Sequence, residues 1–532
     1  MHKLFVQSIR AISMLAILGG SLLSVTPSIA ADELYQTKGF RKGVTLGGIR
    51  EHQAALQAIS DANGGNRLAG TPGYDDSAQY VYDRMTAAGY QVSFQEFSFL
   101  LVSDRTPPVL QQISPISRSY VDGPDFQTMQ YSGSGDFTAS VSAVDLIVPS
   151  PAPNASTSGC EAADFAGFPA GAIALIQRGT CTFRVKAENA AAAGAVGVII
   201  MNEGNPGRTA ALGGTLGAPL FDRSVVGTSF AVGDELRNGV LNGPTSTTVR
   251  LKTDTIAEER TTRNVIAETP TGNPDHVIVV GAHLDSVSRG PGINDNGSGS
   301  ATLLEVAEVY ALQGREPRNK LRFMWYSAEE AGLVGSTYYV NSLNQAERDQ
   351  IELMLNFDMI GSPNFVRFVY DGNNSAFPVG PGSQQGPAGS GAIEQLFLDY
   401  FAAVGIANES TPFSGRSDYG PFIAAGIPAG GLFTGAEGIK TAGQAAVYGG
   451  VAGQPYDPCY HLACDTYANN SDEALDQNSD AVAHVVLLFS KRNFNQNPLV
   501  DPVLPARSIA PRSTGVPARA ELHPQSDEYL RR

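Results

Sequence analysis

The sequence predicts an α/β protein in which helices flank a mainly parallel mixed sheet and a smaller β-rich domain is inserted. Apolar strands alternate with amphipathic helices after residue 264, which is typical of a parallel sheet covered on both faces. The stretch 106–261 differs, with short β-like runs among many Gly, Pro, Ser and Thr residues. A chain of 532 residues with 42% hydrophobic content is long enough for more than one domain.

The N-terminus has the three parts of a secretory signal peptide over residues 1–30. A basic stretch precedes an apolar run over residues 11–25, and Ser28, Ile29 and Ala30 form a small-residue cleavage site. We therefore expect a secreted, extracellular protein that begins near Ala31. A membrane anchor is the weaker alternative, because the apolar run is short for a membrane span.

The segment 40–105, after an N-terminal extension at 31–39, forms the first part of the main domain. Helical spacing of apolar residues predicts helices over 49–62 and 77–88, and alternation predicts a strand over 91–99.

The insert at 106–261 is expected to consist mainly of strands. One β-like run covers 144–148, and a single clear helix over 183–193 lies between strands at 172–177 and 196–201.

The stretch 262–497 completes the main domain, and each of its strands leads into a polar segment. Ligand sites in open α/β sheets lie at the carboxyl ends of the strands, so function is expected there. The predicted strands are 277–282, 321–326, 353–358 and 429–433, and the predicted helices are 299–312 and 478–491.

The stretch 498–532 is rich in Pro and Arg and has few large apolar residues, which predicts a flexible tail. The alternative is a removable propeptide that folds back over the site until it is cleaved.

Charge and cysteine content restrict the partners and the compartment. A formal net charge of −16 argues against a nucleic-acid partner, since phosphate binding needs a concentrated basic surface and the sequence has no basic cluster. No later stretch is apolar enough for a membrane span, and we expect a monomer. The four cysteines of an exported chain favour disulfides, with Cys160 paired to Cys181 and Cys459 to Cys464. A zinc site built from sulfur is the alternative, although no pair has CxxC spacing.

Two segments early in the main domain offer candidate metal ligands. His283 ends a strand, and Asp285 lies two residues on and points the same way, so it can receive a ring N–H of His283. A purely structural pair is the alternative. Asp295 follows in a glycine-rich loop just before a helix, where an ordinary N-cap carboxylate is the alternative.

Three further segments add carboxylates and a histidine. Glu329 and Glu330 follow an apolar strand, so they lie at the edge of the core. Neighbouring carboxylates repel there unless a cation or a proton intervenes, and the candidate histidine favours a cation. Asp358 ends the next strand, and Tyr460 and His461 lie between two cysteines. Together these segments supply nitrogen and oxygen ligands suited to zinc, and one carboxylate can bridge two metals about 3.5–4 Å apart.

These segments resemble, in order, the secreted bacterial two-zinc aminopeptidases with an inserted protease-associated (PA) domain, of the S and Y type and of leucyl or broad specificity. The motifs are His-Leu-Asp-Ser, Gly-Ile-Asn-Asp, Ala-Glu-Glu-Ala-Gly, Asn-Phe-Asp-Met and Cys-Tyr-His. The resemblance implies the zinc exopeptidase fold and hydrolysis of the N-terminal residue of peptides and proteins. An acidic site also attracts an α-ammonium group and repels a C-terminal carboxylate.

The resemblance also implies a role for each matching residue. Asp295 would bridge two Zn²⁺ ions. Glu329 would be the general base toward a metal-bound hydroxide, and Tyr460 would bind the oxyanion. Asp285 would orient a ligand. The terminal ligands would be His283 and Asp358 on one zinc, and Glu330 and His461 on the other.

Three positions leave alternatives open. Arg416 is a candidate substrate-binding residue, with an ion pair to Asp418 as the alternative. Asn296 stands where many relatives have aspartate, and we expect no ligand there. Asp476 and Asp480 align with acids that bind a structural Ca²⁺ in some relatives, with a charge near a helix N-terminus as the alternative.

Rival functions are a carboxypeptidase or a glutaminyl cyclase of the same fold, and a non-catalytic receptor-like binding protein. A cyclase needs only one zinc, the carboxypeptidases carry a further helical domain, and receptor-like relatives lose metal ligands.

Overall fold

A computed structural model describes residues 27–206, 208–380 and 382–502. Most of the predicted signal peptide and of the predicted tail therefore lies outside the described residues. The predicted cleavage site falls within the first described helix, which runs from Pro27 to Arg41. None of the helices in the described ranges has the length and apolar character needed to cross a membrane.

The strands belong to two sheets. In chain order they are β1 (Gln91–Asp104), β2 (Val109–Ser114), β3 (Arg118–Ser119), β4 (Phe126–Thr128), β5 (Gly135–Ala143), β6 (Ile173–Gln177), β7 (Gly197–Met201), β8 (Ser224–Thr228), β9 (Gly243–Thr253), β10 (Thr255–Glu268), β11 (Asn273–His283), β12 (Asn319–Tyr326), β13 (Ile351–Phe357), β14 (Phe368–Tyr370), β15 (Glu409–Thr411) and β16 (Ala429–Phe433).

The helices cover the faces of these sheets. They are α1 (Pro27–Arg41), α2 (Leu46–Ala62), α3 (Pro72–Ala87), α4 (Phe183–Ala192), α5 (Phe230–Arg237), α6 (Gly297–Leu312), α7 (Val334–Ser342), α8 (Gln345–Asp349), α9 (Ser390–Val404), α10 (Tyr419–Ala424), α11 (Ala442–Tyr448) and α12 (Asp472–Lys491), with a 3₁₀ turn at Ala162–Phe165.

The main sheet confirms the predicted mixed, mainly parallel architecture. Its order is β1-β10-β12-β11-β13-β16-β14-β15, and the four central strands from β12 to β16 are parallel. Helices α2, α3, α6 and α12 pack on one face, and α7 and α10 pack on the other. Because both faces are covered, residues 277–283 of β11 are all buried. The carboxyl ends of the parallel strands meet at one edge of the sheet.

The insert is a second sheet with the order β3-β2-β9-β5-β6-β7-β8-β4, which confirms the predicted β-rich domain. Two details differ from the prediction. The run 144–148 is not a strand, because pairing along β5 ends at Ala143. A second helix, α5, is present, and its left-handed C-cap at Asn238 ends it after only eight residues.

The insert is joined to the main sheet by β1 and β10, which pair antiparallel from Gln91–Glu268 to Asp104–Thr255. The strand predicted to end at residue 99 therefore continues to Asp104. The second sheet ends at Thr253, so the proposed domain boundary at 261 falls within β10.

The start of the predicted tail is ordered against α9. The Asp501 carboxylate accepts hydrogen bonds from the amides of Gly389, at 3.1 Å, and Ala392, at 3.1 Å. These bonds satisfy amides at the N-terminus of α9. The same helix end contacts the start of β16, where Ser390 Oγ accepts from the amide of Ala429 at 3.1 Å. Residues 498–502 therefore lie at the sheet edge opposite the carboxyl ends of the parallel strands.

Candidate metal centre

Three side chains converge at the carboxyl ends of β11 and β13. His283 is the last residue of β11, and Asp358 follows β13 directly. The Nε2 atom of His283 lies 3.4 Å from Asp358 Oδ1 and 3.2 Å from Asp295 Oδ1. All three residues are buried, and their ligand atoms lie close enough together to hold one cation.

A second group of ligands forms on the other oxygen of Asp295. The Nε2 atom of His461 lies 3.2 Å from Asp295 Oδ2 and 3.1 Å from Glu330 Oε2. Glu330 follows β12, and His461 lies in the loop between the two cysteines. Each Asp295 oxygen therefore faces a different group, which is the arrangement that a bridging carboxylate needs.

Several atoms of these groups are buried without a hydrogen-bond partner among the described residues. They are Glu330 Oε1, Asp358 Oδ1 and His283 Nε2, and the close approach of His283 Nε2 to Asp295 and Asp358 lacks the geometry of a hydrogen bond. Buried polar atoms are almost always satisfied, so three orphans in one place call for a missing partner. Imidazole nitrogen and carboxylate oxygen suit Zn²⁺, and the residues present therefore fit a pair of such ions.

The electrostatics of the group agree with a cation site. Burial disfavours charge on His283 and His461, but the facing carboxylates outweigh it and raise the pKa of both imidazoles well above the ordinary value. Burial also disfavours the charged form of Glu330 and so raises the pKa of its carboxyl, while the neighbouring His461 lowers that pKa. The protein thus concentrates negative charge around two imidazoles.

Asp285 lies behind this centre and joins two of its segments. Its carboxylate accepts the amides of Glu329 and Glu330, at 3.2 and 3.3 Å. It also lies 3.6 Å from His283 Nδ1, which is closer to the backbone carbonyl of Asp285, at 3.2 Å. Asp285 therefore faces the ring as expected, while its hydrogen bonds hold the loop that carries Glu330.

The helix cap next to Asp295 belongs to Asn296. The Asn296 side chain accepts the amide of Gly299 at 2.9 Å and donates to the carbonyl of Phe357 at 2.9 Å. The alternative in which Asp295 is the N-cap is therefore wrong, and both Asp295 oxygens face the two ligand groups. Both polar atoms of the Asn296 side chain thus bond to backbone groups, and the absence of a ligand role for Asn296 stays a prediction.

The sequence did not predict a chain of two hydrogen bonds that ends at Asp358. Ser417 donates to Asp358 Oδ2 at 2.7 Å, and Asn356 donates to Ser417 Oγ at 2.7 Å. Ser417 lies 59 positions after Asp358 in the sequence. The contact between Ser417 and Asp358 becomes visible only in the tertiary structure, where the end of β13 lies beside the loop before α10.

Glu329 lies beside both groups and belongs to neither. Burial is the main cause that raises the pKa of its carboxyl well above the ordinary value. The neighbouring Glu330 raises this pKa further, and His283 lowers it. The Glu329 carboxyl therefore lies beside the candidate metal centre and outside its two ligand groups.

Tyr460 and Arg416 meet on the open side of the centre. Arg416 donates to the Tyr460 hydroxyl at 3.1 Å and forms an ion pair with Glu437 at 2.7 Å. The alternative ion pair between Arg416 and Asp418 is therefore wrong. The Tyr460 ring stacks on His461 with 3.8 Å between centroids, and burial raises the pKa of its hydroxyl, which stays protonated.

Both predicted disulfides are present and leave no free cysteine among the described residues. Cys459 and Cys464 are five positions apart and close the loop that carries Tyr460 and His461. The alternative zinc site built from sulfur is therefore excluded.

The acids considered for Ca²⁺ lie on α12. Asp480 pairs with Arg41 at 3.3 Å, and neither Asp476 nor Asp480 belongs to a potential metal-binding group among the described residues.

Comparison with known proteins identifies both parts of the chain. Residues 264–486 match the model of peptidase family M28, and residues 143–236 match the PA domain. An aminopeptidase from Pseudomonas aeruginosa is 50% identical over 436 residues, covering 82% of this chain and 79% of that protein. Leucine aminopeptidase 2 from Trichophyton rubrum is 40% identical over 468 residues, 87% of each chain.

Solved structures give the same picture. The aminopeptidase from Aneurinibacillus sp. strain AM-1 superposes with a TM-score of 0.61 at 27% identity, covering 88% of this chain and 98% of that one. A zinc aminopeptidase from Bacillus subtilis shares the fold, with a TM-score of 0.59 at 24% identity over 85% and 96% of the two chains. Because it is 50% identical to a known aminopeptidase over 82% of its length and matches the family model, this chain belongs to peptidase family M28, with a PA domain inserted in the peptidase domain.

Proposed function

We propose that this M28 peptidase is a secreted aminopeptidase that binds two Zn²⁺ ions and removes the N-terminal residue of peptides and proteins. The observation that carries the proposal is the pair of ligand groups that share Asp295, with buried atoms that lack partners. The secretory-type N-terminus and the two disulfides support export. Monomeric assembly stays a prediction, and a structural Ca²⁺ has no support beyond the resemblance.

The proposed ligands divide between the two groups. His283 and Asp358 would hold one ion, Glu330 and His461 would hold the other, and Asp295 would be shared by both groups. Zinc lowers the pKa of a bound water from about 15.7 to about 7, so a nucleophile is available at neutral pH.

The protein's own groups then move the proton and bind the developing charge. Glu329 accepts the proton of the attacking water and delivers it to the leaving amine. The Tyr460 hydroxyl donates to the developing oxyanion. Because Arg416 donates to the Tyr460 oxygen, the phenolic proton is left to point into the site. This geometry supports an orienting role for Arg416, and its contact with substrate stays a prediction.

The direction of cleavage rests on the relatives, because the similar proteins of Pseudomonas aeruginosa and Trichophyton rubrum are both named aminopeptidases. Charge alone does not decide it, since two Zn²⁺ ions would offset the carboxylates of the two ligand groups and Glu329. The relatives therefore favour an aminopeptidase over a carboxypeptidase. The two complete ligand groups disfavour a one-zinc cyclase and a receptor that has lost its ligands.

A panel of aminoacyl chromogenic amides tests the proposal. We expect hydrolysis of free aminoacyl amides, no hydrolysis of the matched N-acetylated amides, and loss of activity in a zinc chelator. Cleavage of the acetylated panel at a comparable rate would contradict aminopeptidase activity. Conversion of N-terminal glutamine to a cyclic product would favour the cyclase.

Substitution of Tyr460 by phenylalanine tests the oxyanion role. We expect kcat to fall by about 10²- to 10³-fold with little change in KM, because the lost donor acts only on the developing charge. Steady-state kinetics on one amide gives both constants, and Tyr35→Phe, at an exposed position, is the control. A variant that changes KM alone would instead assign Tyr460 to ground-state binding.

A further inference from the structure

Arg67 is a buried arginine that the sequence did not single out. It lies between α2 and α3, and its side chain is among the largest that are fully buried. Its guanidinium donates three hydrogen bonds to backbone carbonyls of one loop: to Leu284, to Pro291 at 2.9 Å, and to Gly292 at 2.6 Å. Its amide also donates to Ser286 Oγ at 2.9 Å.

That loop, residues 284–292, leads from His283 toward Asp295. His283 directly precedes the loop and Asp295 follows it by three positions, so the path of the loop sets the separation of these two proposed metal ligands. At Gly292 the backbone has a φ of 64°, and an added Cβ would lie 2.4 Å from the carbonyl oxygen of Asp295. The loop thus folds tightly on itself and turns three carbonyls toward Arg67. Without a donor these buried carbonyls would be left unsatisfied.

Arg67 differs from an ordinary buried arginine. No carboxylate lies within ion-pair distance of Arg67 in the part of the chain that the structure describes, whereas Arg208 of the insert pairs with Glu203 at 2.6 Å. The carboxylates that interact most strongly with the charge of Arg67 are those of Asp285, Asp465 and Asp295. Burial lowers the pKa of Arg67 to about 10, so the group stays charged at neutral pH. Its charge therefore opposes the excess of carboxylates at the metal centre.

We infer that Arg67 is a positioning residue for the metal pair, which holds the 284–292 loop so that His283 and Asp295 keep the spacing that binding requires. The inference rests on the proposed two-zinc function. Asp465 complements Arg67, since its carboxylate accepts the amides of Asn294 at 2.8 Å and Asp295 at 3.0 Å. Arg67 thus holds the loop through its carbonyls, and Asp465 holds residues 294–295, which follow the loop, through their amides.

Arg67→Lys is the most informative variant. Lysine keeps the charge but has a single ammonium group, which cannot reproduce the planar fork that reaches three carbonyls. We expect the affinity for zinc, measured by competition with a chromophoric chelator, to fall by roughly 10- to 100-fold, as is typical when a group that orients ligands is lost. Far-UV circular dichroism verifies folding. The matched control is Arg208→Lys, a buried arginine of the insert, which should keep wild-type zinc affinity.

The outcomes separate the inference from the proposed function. A folded Arg67→Lys protein with wild-type zinc affinity would overturn the inference, and so would an equal loss in Arg208→Lys. If Arg67→Lys does not fold, Ser286→Ala removes one tie between Arg67 and the loop. A weakening of about threefold or more supports the inference, and unchanged affinity contradicts it. A wild-type chain that binds no zinc would refute the proposed function itself.

Discussion

Replacement of Glu329 by glutamine is expected to lower kcat/KM by about 10²- to 10⁴-fold, the usual contribution of a positioned general base. Glutamine keeps the size of the side chain and loses the ability to accept a proton. Because Glu329 belongs to neither ligand group, we expect the zinc content to stay at the wild-type value. Hydrolysis of an aminoacyl amide and metal analysis of the same sample measure both quantities.

The zinc measurement distinguishes the two roles that a carboxyl can have at this position. Loss of one zinc in Glu329→Gln would make Glu329 a ligand, and wild-type turnover with full zinc content would exclude it as the base. Glu96→Gln, at an exposed position on β1, is the control for a generic loss of negative charge. Its activity should be unchanged, since solvent screens a single exposed carboxylate.

The main sheet could be predicted because the apolar runs in the sequence coincide with the strands that the fold buries. The central strands are buried on both faces, so their apolar runs are continuous and end where the chain leaves the core. His283 and Asp358 stand at those ends and were therefore identified from the sequence alone. The bounds of β1 were less predictable, because the strand extends beyond the main domain along β10.

The contacts that support the centre could not be predicted, because they join positions far apart in the chain. Ser417 reaches Asp358, and Arg67 reaches a loop more than two hundred positions later (|i−j| of 217 to Leu284). A serine before a short helix and an arginine after a glycine-rich turn have no distinctive local pattern. Only the tertiary structure, which brings α2 and α3 beside the loop after β11, assigns them a role.

Within the insert, errors arose where a weak local signal competed with pairing. Residues 144–148 have β-forming side chains but continue past the end of the β5 ladder. Helix α5 is short and ends at Asn238 in the left-handed conformation, so its apolar periodicity covers too few turns to stand out.

Replacement of Asp295 by alanine is expected to remove zinc from both groups, whereas His461→Ala should remove it from one. The reason is geometric, since Asp295 is the only residue that the two groups share. His461→Ala leaves His283, Asp358 and Asp295 together, which still offer one nitrogen and two carboxylates to a single ion. Metal analysis after equilibration with limiting zinc measures the stoichiometry of each variant.

Activity should follow the same hierarchy. A chelated wild-type protein should lose hydrolysis and recover it on addition of zinc, while Asp295→Ala should stay inactive at the same concentration because it lacks an oxygen for either ion. Retention of two zinc ions by Asp295→Ala would show that the groups are independent and that no carboxylate bridges them. Equal losses in Asp295→Ala and His461→Ala would show instead that the second ion is needed to hold the first. A shared ligand therefore requires that Asp295→Ala loses both zinc ions and that His461→Ala loses only one.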